Sequence, residues 1–191
     1  NPSSVLNVNS FTIDTTPPEI DSFSVNPSTL TINSPTVTIS WSVEDFGGSG
    51  LKQVELWRKA PGGSWLQHGT PASVSGFSAS GSFSDTPTSD GTYEYGLHVM
   101  DKVDNWCDEG VTGGGGVNKC AGSYNGAGTK VVQVDKTAPS KPTCIPGGGT
   151  YQNKAKDVTC STEAGATIRY TLDGSSPITS STLYSFPFDI T

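Results

Sequence analysis

Apolar and hydroxyl side chains alternate along one short stretch of this chain, Thr36-Val37-Thr38-Ile39-Ser40-Trp41-Ser42-Val43. A period of two places the apolar side chains on one face and the hydroxyl groups on the other, as in an antiparallel strand with one buried face. The pattern returns in residues 54–56, 93–99 and 132–134. The sequence therefore predicts an all-β protein built from sandwich modules.

Composition supports short strands joined by turns. The 191 residues include 23 glycines and 13 prolines, and only 32% are hydrophobic, which disfavours long helices. The formal net charge of -7 disfavours binding to nucleic acid or to an anionic membrane surface. We expect no membrane insertion, because no apolar run approaches the ~18 residues that a spanning helix needs. The start, Asn1-Pro2-Ser3-Ser4, has neither an initiator Met nor a signal peptide, so we expect a processed or excised chain.

Two similar proline-bearing segments divide the chain, Asp14-Thr15-Thr16-Pro17-Pro18 and Asp135-Lys136-Thr137-Ala138-Pro139. Each follows a strand-like run and ends in prolines, which stop strand pairing and stiffen a linker. The predicted organisation is the last strand of a preceding module plus a linker in residues 1–16, a complete sandwich in 17–138 and the start of another in 139–191.

The middle module resembles the bacterial immunoglobulin-like repeats of adhesins and secreted enzymes. The resemblance spans most of residues 14–138 and rests on the order and spacing of Val43-Glu44-Asp45, Gly48-Ser49-Gly50-Leu51, Gly91-Thr92-Tyr93 and Met100-Asp101-Lys102-Val103-Asp104-Asn105. It implies an immunoglobulin-like sandwich. One departure is the glycine-rich excursion of residues 106–126, where such repeats return at once to the last strand.

The last part resembles the C-terminal domain of chitobiase and β-hexosaminidase, a small non-catalytic sandwich appended to glycosidases and to surface proteins. The motifs that carry the resemblance are Pro146-Gly-Gly-Gly-Thr-Tyr151, Val158-Thr-Cys-Ser161, residues 165–174, Ser176-Pro177 and Ser181-Thr-Leu-Tyr184. Members continue for another strand or two beyond the position that matches Thr191. We therefore expect an incomplete module here.

The four cysteines fall into two local pairs, Cys107 with Cys120 and Cys144 with Cys160. None has the C-x-x-C spacing of zinc or redox sites, and four cysteines allow three disulfide connectivities. Local pairing keeps each bridge within one module, so we predict these two disulfides and an oxidising compartment, secreted or at the cell surface. The first bridge would close the glycine-rich loop that contains residues 113–116. The alternative is four free, buried thiols in a cytosolic protein.

Four aspartates are predicted to meet at one pole of the middle sandwich. In an immunoglobulin-type fold the first strand starts at the pole where the B–C and F–G loops lie. Asp14 precedes the first strand, Asp45 opens the B–C loop, and Asp101 and Asp104 open the F–G loop. Calcium takes six to eight oxygen ligands, which aspartates, loop carbonyls and water supply. The alternative is that these aspartates only cap turns, as Asp commonly does. Asp135 starts the equivalent junction at the next module.

Catalysis finds little support in the sequence. We expect His98 to be a solvated strand residue, because it lies on the face opposite Leu97 and Val99, and no Ser-His-Asp order or paired carboxylates accompany it. Trp41 is expected in the core. Trp57, Trp65 and Trp106 fall outside the inward alternation and are candidates for stacking on a sugar or anchoring a partner; the alternative is that they are partly buried rim residues.

The predicted function is therefore a non-enzymatic structural or adhesive segment of a larger extracellular or cell-surface protein, such as a stalk, adhesin or filament. The alternative is an accessory region beside a carbohydrate in a secreted glycoside hydrolase. The expected partners are neighbouring modules of the same chain, with a glycan or a cell-surface protein as further candidates. The strand-like run 5–13 needs a sheet edge. Pairing within the parent chain is favoured, and strand donation between copies is the alternative.

Overall fold

Fifteen strands and no helix occur in residues 13–109, 129–152 and 155–190, the part of the chain that the computed structural model describes. The all-β prediction is therefore confirmed for these residues. The strands are β1 (Glu19–Asn26), β2 (Thr29–Thr31), β3 (Val37–Glu44), β4 (Leu51–Lys59), β5 (Trp65–Gln67), β6 (Ala72–Ser73), β7 (Ser78–Asp85), β8 (Gly91–Asp101), β9 (Trp106–Glu109), β10 (Lys130–Asp135), β11 (Thr143–Ile145), β12 (Ala155–Ser161), β13 (Arg169–Tyr170), β14 (Thr182–Leu183) and β15 (Phe188–Ile190).

The first sheet contains three antiparallel strands in the order β1-β3-β7. The alternating stretch of the sequence forms its central strand, β3. Val37, Ile39, Trp41 and Val43 are all buried, while Thr38 and Ser40 between them are exposed. The period of two thus sets which face of this sheet enters the core.

The second sheet contains β2-β10-β8-β4-β5, with β6 added to β4 and β9 added to β8. β2 pairs with β10 in parallel, and the other pairings are antiparallel. In immunoglobulin nomenclature the first sheet has the order A-B-E, and β10, β8 and β4 take the places of G, F and C. Residues 13–109 and 129–137 therefore form an immunoglobulin-like sandwich.

One hydrophobic core fills the space between these two sheets. Tyr95, Leu56 and Leu97 from the second sheet pack within the same cluster as Ile39 and Trp41 from the first. Tyr93 lies at the start of β8, and its hydroxyl accepts a hydrogen bond from the backbone N–H of Ser89 at 3.3 Å. This is the geometry of the tyrosine corner that immunoglobulin-like domains place at this point.

The chain divides into two compact units, Asn1–Thr137 and Ala138–Thr191. The second unit contains a three-stranded sheet, β11-β12-β15, and the pair β13-β14. Cys144 and Cys160 lie directly opposite each other on β11 and β12 and are joined by a disulfide. Among its described residues Val158 is the only buried hydrophobic one, whereas Leu172 and Phe186 are exposed. This unit encloses a much smaller core than the first.

Several predictions concern residues outside the described ranges. They include the strand-like run 5–13 except for its last residue, Ile13, which is exposed. They also include Cys120 and the glycine run 113–116, while Cys107 is buried and disulfide-bonded. The excursion of residues 106–126 begins as β9, which continues the second sheet beside β8. Nowhere in the described residues is there a helix of the length and apolarity that crossing a membrane requires.

Candidate metal centre

Three of the predicted aspartates meet at one pole of the first unit. Asp14 precedes β1, Asp45 follows the end of β3, and Asp101 is the last residue of β8. One carboxylate oxygen of each lies within 4.8 Å of those of the other two. Asp45 and Asp101 are buried, with 3% and 0% of their surface exposed, and Asp14 is partly buried. The immunoglobulin topology thus brings together carboxylates that are 31 and 56 residues apart in the chain.

Asp14 attaches the entering chain to the loop between β3 and β4. Its Oδ1 accepts a hydrogen bond from the backbone N–H of Thr16 at 3.0 Å, which forms an Asx turn. Its Oδ2 accepts from the N–H of Ser49 at 2.6 Å. Because these two backbone donors favour the charged carboxylate, they lower the pKa of Asp14.

Asp45 lies within its own loop and leaves no space for a larger residue beside it. Its Oδ2 accepts a hydrogen bond from the N–H of Gly50 at 2.6 Å, and its backbone N–H donates to the carbonyl of Phe77 at 2.8 Å. A Cβ atom at Gly48 would stand 2.2 Å from Oδ1 of Asp45. A glycine at position 48 is therefore required by the position of this carboxylate.

Asp101 organises the turn after β8. Its Oδ1 accepts from the backbone N–H groups of Val103 and Asn105 at 2.9 and 2.8 Å, and its Oδ2 accepts from Nδ2 of Asn105 at 2.7 Å. The same Nδ2 lies 3.3 Å from the carbonyl oxygen of Asp14 and 3.4 Å from that of Thr16. Asn105 was not predicted as a site residue, although it stands four residues after Asp101 in the motif that carries the family resemblance.

The cluster concentrates negative charge in a partly buried place. Burial raises the pKa of Asp45, and the charges of Asp14 and Asp101 raise it further, against the opposing charge of Lys102. Within the described chain, no Lys or Arg nitrogen comes within 4.0 Å of the three carboxylates to form an ion pair. A divalent cation would relieve this repulsion.

Asp104 lies apart from this cluster. It adopts a left-handed conformation with a φ of 69°, and its side chain is exposed. Its Oδ1 accepts from Nζ of Lys52 at 2.6 Å. The predicted convergence of four aspartates therefore holds for three of them, because the left-handed residue directs the carboxylate of Asp104 outward to a lysine.

The three carboxylates fit a hard cation in some respects and turn capping in others. All available ligand atoms are oxygens, the type that Ca²⁺ and Mg²⁺ prefer over the nitrogen and sulfur ligands of zinc sites. Three carboxylates supply fewer than the six to eight oxygens of a calcium shell, so loop carbonyls and water would supply the remainder. Every one of the three also accepts backbone N–H bonds, as the capping interpretation requires. Both interpretations stand on this geometry.

The three predicted tryptophans all lie on strands of the second sheet. Trp57 and Trp106 lie on either side of His98, with ring centroids 4.6 and 5.8 Å from the imidazole. Trp57 Nε1 donates to Glu55 Oε2 at 3.0 Å, and His98 Nδ1 lies 3.6 Å from the same oxygen. Trp65 belongs to β5, where it pairs with Lys59.

The expectation that His98 is solvated was wrong. Only 6% of its surface is exposed, because the two indole rings and Glu55 surround it on the outer face of the second sheet. Burial lowers the pKa of His98, and the nearby carboxylate of Glu55 opposes that change. Trp57 and Trp106 are both partly buried.

Comparison with known proteins supports one of the two resemblances. Residues 146–191 match the family described as the chitobiase/beta-hexosaminidase C-terminal domain. The match covers less than half of the chain and falls within the second unit. The resemblance predicted for this part is therefore confirmed. It indicates an accessory module, since the similarity is to the C-terminal domain of these enzymes. The resemblance to bacterial immunoglobulin-like repeats stays a prediction.

Several solved structures match this chain, and one of them shows a weak overall likeness. It is the CARDB domain of a Pyrococcus furiosus protein, described as a complex with di-metal ions, with 18% sequence identity and a TM-score of 0.37. The alignment covers 67% of this chain and 99% of that chain. A likeness of this degree says nothing about the site. No curated protein matches the chain.

Proposed function

We propose that this chain is a non-catalytic structural segment of a larger extracellular or cell-surface protein, in which sandwich modules follow one another through linkers held against the sandwich. The observation that carries the proposal is that the two predicted linkers adopt the same local structure. Thr16 N–H donates to Oδ1 of Asp14 at 3.0 Å, and Thr137 N–H donates to Oδ1 of Asp135 at 3.2 Å. A repeated Asx turn, each time followed by proline, is typical of a repeated junction.

Each linker is also bonded to loops of the first unit. At the entry, Asp14 binds the Ser49 N–H, and Asn105 binds the Asp14 carbonyl. At the exit, Asp90 accepts the backbone N–H of Lys136 at 2.7 Å and a hydrogen bond from the hydroxyl of Thr137. Chain segments with satisfied backbone groups lose the freedom of a flexible tether. Such hydrogen bonds stiffen the segments through which the chain enters and leaves the module. Stiff connecting segments are the property that a stalk requires.

Calcium at the entry would strengthen the same function. An ion bound by Asp14, Asp45 and Asp101 would join the entering segment to the loops after β3 and β8, because each carboxylate comes from a different one of these elements. Its charge would remove the repulsion that raises the pKa of Asp45. Magnesium, which demands a stricter octahedral geometry, fits a loop-built site less readily.

An oxidising location agrees with this role. The Cys144–Cys160 disulfide joins two strands of the small second unit, and such bridges persist in secreted proteins while cytosolic thiols stay reduced. A domain with a small core gains most from a covalent link of this kind.

Hydrogen exchange tests the proposal directly on the 191-residue chain. The amides of Thr16, Ser49 and Thr137 should exchange far more slowly than those of an unstructured peptide, and calcium should slow the first two further. Asp14→Ala should release Thr16 and Ser49 but leave Thr137 protected. Linker amides that exchange at random-coil rates with and without calcium would contradict the proposal.

A second candidate is an accessory module beside a carbohydrate. It is favoured by the two partly buried tryptophans that flank His98, since indole rings stack on sugars, and by the family to which residues 146–191 are similar. Binding to chitin and cellulose oligosaccharides tests it. Trp106→Ala should abolish binding, whereas Phe46→Ala, which removes an exposed ring in the loop after β3, should not. Absence of glycan binding by the unaltered chain would exclude this candidate.

A further inference from the structure

β7 is an edge strand with none of the features that usually prevent strand pairing. It pairs with β3 over eight consecutive residues, Ser78–Asp85, without a register shift, and in the described residues its other side has no strand partner. Between Ser78 and Ser84 it contains no charged residue and no proline. Natural edge strands are usually short, charged, bulged or interrupted by proline, because an open edge is a template for another strand.

The other edges of the first unit have such protection. β1 contains a bulge between Ile20 and Ser22 that carries the exposed Asp21, and Pro17, Pro18 and Pro27 flank it. β2 and β5 are three residues long, β6 has two, and β9 has four, of which Asp108 and Glu109 are acidic. Of the strands described in this unit, β7 is therefore the long edge that remains open. Among the strands described in this unit, only β7 combines this length with an unprotected edge.

The outward face beside the middle of this edge is uncharged and hydroxylated, and Glu44 of β3 lies opposite Ser78 at one end. Ser80 and Ser82 on β7 lie in two cross-strand rows with Ser42 and Ser40 on β3, and the rows continue to β1. The side chain of Ser42 donates to Asp21, but no hydrogen bond within the described structure occupies the hydroxyls of Ser80 and Ser82. The charged end of the strand is not exposed, because Asp85 is buried and bonded to Arg58.

The inward face of β7 is shaped by a neighbouring indole. A Cβ atom at Gly81 would lie 2.6 Å from Cζ2 of Trp41, so position 81 must stay glycine. Ala79 and Phe83, on either side of it, are partly buried against the core. Both lose part of their remaining apolar exposure if another strand is added at this edge.

We propose that β7 is a pairing surface for the β7 of a second copy of this chain. In an antiparallel pair with Gly81 opposite Gly81, Ser80 faces Ser82 of the second copy and Ala79 faces its Phe83. A small residue thus opposes a large one on the inner side, hydroxyls oppose hydroxyls on the outer side, and no like charges meet. The two three-stranded sheets become one six-stranded sheet. This strand is therefore complementary to itself, and strand addition supplies the backbone hydrogen bonds that give affinity.

Association of the 191-residue chain, measured by sedimentation from micromolar to millimolar concentration, tests the proposal. We expect a monomer–dimer equilibrium. The double variant S80K/S82K places lysine opposite lysine in both cross-strand pairs and should weaken the dimer about tenfold or more. It changes the net charge from -7 to -5, which by itself reduces repulsion between copies, so a weaker dimer cannot result from overall charge.

The matched control is S22K/S24K on β1. Ser22 and Ser24 occupy the same two rows of the same sheet face at its protected edge, so this variant adds the same charge and should leave the dimer unchanged. A chain that is monomeric at every concentration overturns the proposal. A dimer that S80K/S82K leaves intact, or that both variants weaken equally, also overturns it and points to another contact, such as the strand-like run 5–13.

The pairing register provides a readout that does not depend on the lysine variants folding. A mixture of S80C and S82C chains should form an intermolecular disulfide under mild oxidation, because these positions are directly opposite in the proposed pair. Each variant alone places its cysteines diagonally, roughly 7–8 Å apart, too far for efficient bridging. Equal bridging in all three samples would contradict the proposed register.

Discussion

Nδ2 of Asn105 lies 3.3 Å from the carbonyl oxygen of Asp14, across 91 residues of sequence. The same amide nitrogen donates to Oδ2 of Asp101 at 2.7 Å. The turn after β8 therefore connects the carboxylate cluster to the segment through which the chain enters the sandwich. Any change in this cluster is expected to alter the order of the entering segment as well as the stability of the module.

Calcium is expected to stabilise the chain through Asp45. An ion that binds only the folded state contributes about 2.7 kcal/mol when its free concentration is 100 times Kd, so the melting temperature should rise by several degrees. Asp45→Asn should abolish this rise, whereas Asp104→Asn, with the same loss of charge outside the cluster, should retain it. Calorimetric melting with calcium and with chelator measures both. Equal melting temperatures in the two conditions would leave only the turn-capping interpretation.

Without metal, Asp45→Asn is expected to stabilise the chain at neutral pH. Burial and the charges of Asp14 and Asp101 raise the pKa of Asp45 above its unfolded value, so ionisation of this group costs stability once the pH exceeds the folded-state pKa. Asparagine retains an oxygen acceptor for the Gly50 N–H. The advantage of the variant should therefore shrink as the pH falls through that pKa. Denaturant titrations at several pH values measure it; a variant less stable at every pH would refute the prediction.

Asp85→Asn is expected to destabilise the first unit by about 3 kcal/mol. Asp85 is buried on β7 and accepts from Arg58 at 2.9 Å and from Tyr95 at 2.7 Å, so it connects the two sheets. Burial by itself raises the pKa of Asp85, but the hydrogen bonds from Arg58 and Tyr95 outweigh it and lower the pKa. The stability that Asp85 contributes is thus present above its unfolded pKa and is lost as the pH falls through its folded pKa.

The control for Asp85 is Tyr95→Phe, which removes one hydroxyl and keeps the charge pair. Its expected cost is about 1 kcal/mol, the usual net value of a single hydrogen bond. Urea unfolding compares the two variants. An Asp85→Asn chain as stable as the unaltered one would show that Arg58 and His68, whose Nε2 lies 3.0 Å from Asp85, are satisfied without the charge.

Gly48→Ala is expected to destabilise the first unit by about 1–3 kcal/mol, the usual cost of overpacking. Its Cβ would overlap with Oδ1 of Asp45 and force that carboxylate away from the cluster. Gly63→Ala is the matched control, because the nearest atom to a Cβ there is 3.4 Å away. The first variant should lose both stability and any effect of calcium on melting. Equal melting of the two variants would show that the loop adapts without cost.

Local pattern was enough to predict several strands, among them β3, β8 and β10, and their buried faces. The alternation of Thr36–Val43 predicted β3 and its burial, since the period of two is a property of the extended backbone itself. The order of elements in an immunoglobulin-like sandwich was enough to predict that Asp14, Asp45 and Asp101 lie at one pole, because that topology specifies which loops share an end. Both inferences need only local sequence and chain order.

Tertiary structure alone decided which side chains meet within those regions. Asp104 is three residues from Asp101, yet its left-handed backbone turns it toward Lys52, and no pattern in the sequence distinguishes the two aspartates. His98 has the alternation of a solvated residue but is covered by Trp57 from β4 and Trp106 from β9. Asp85 finds Arg58 only because the two sheets close on each other. These contacts depend on the relative positions of residues distant in sequence, which local periodicity does not encode, and they set the burial and charge of the candidate site.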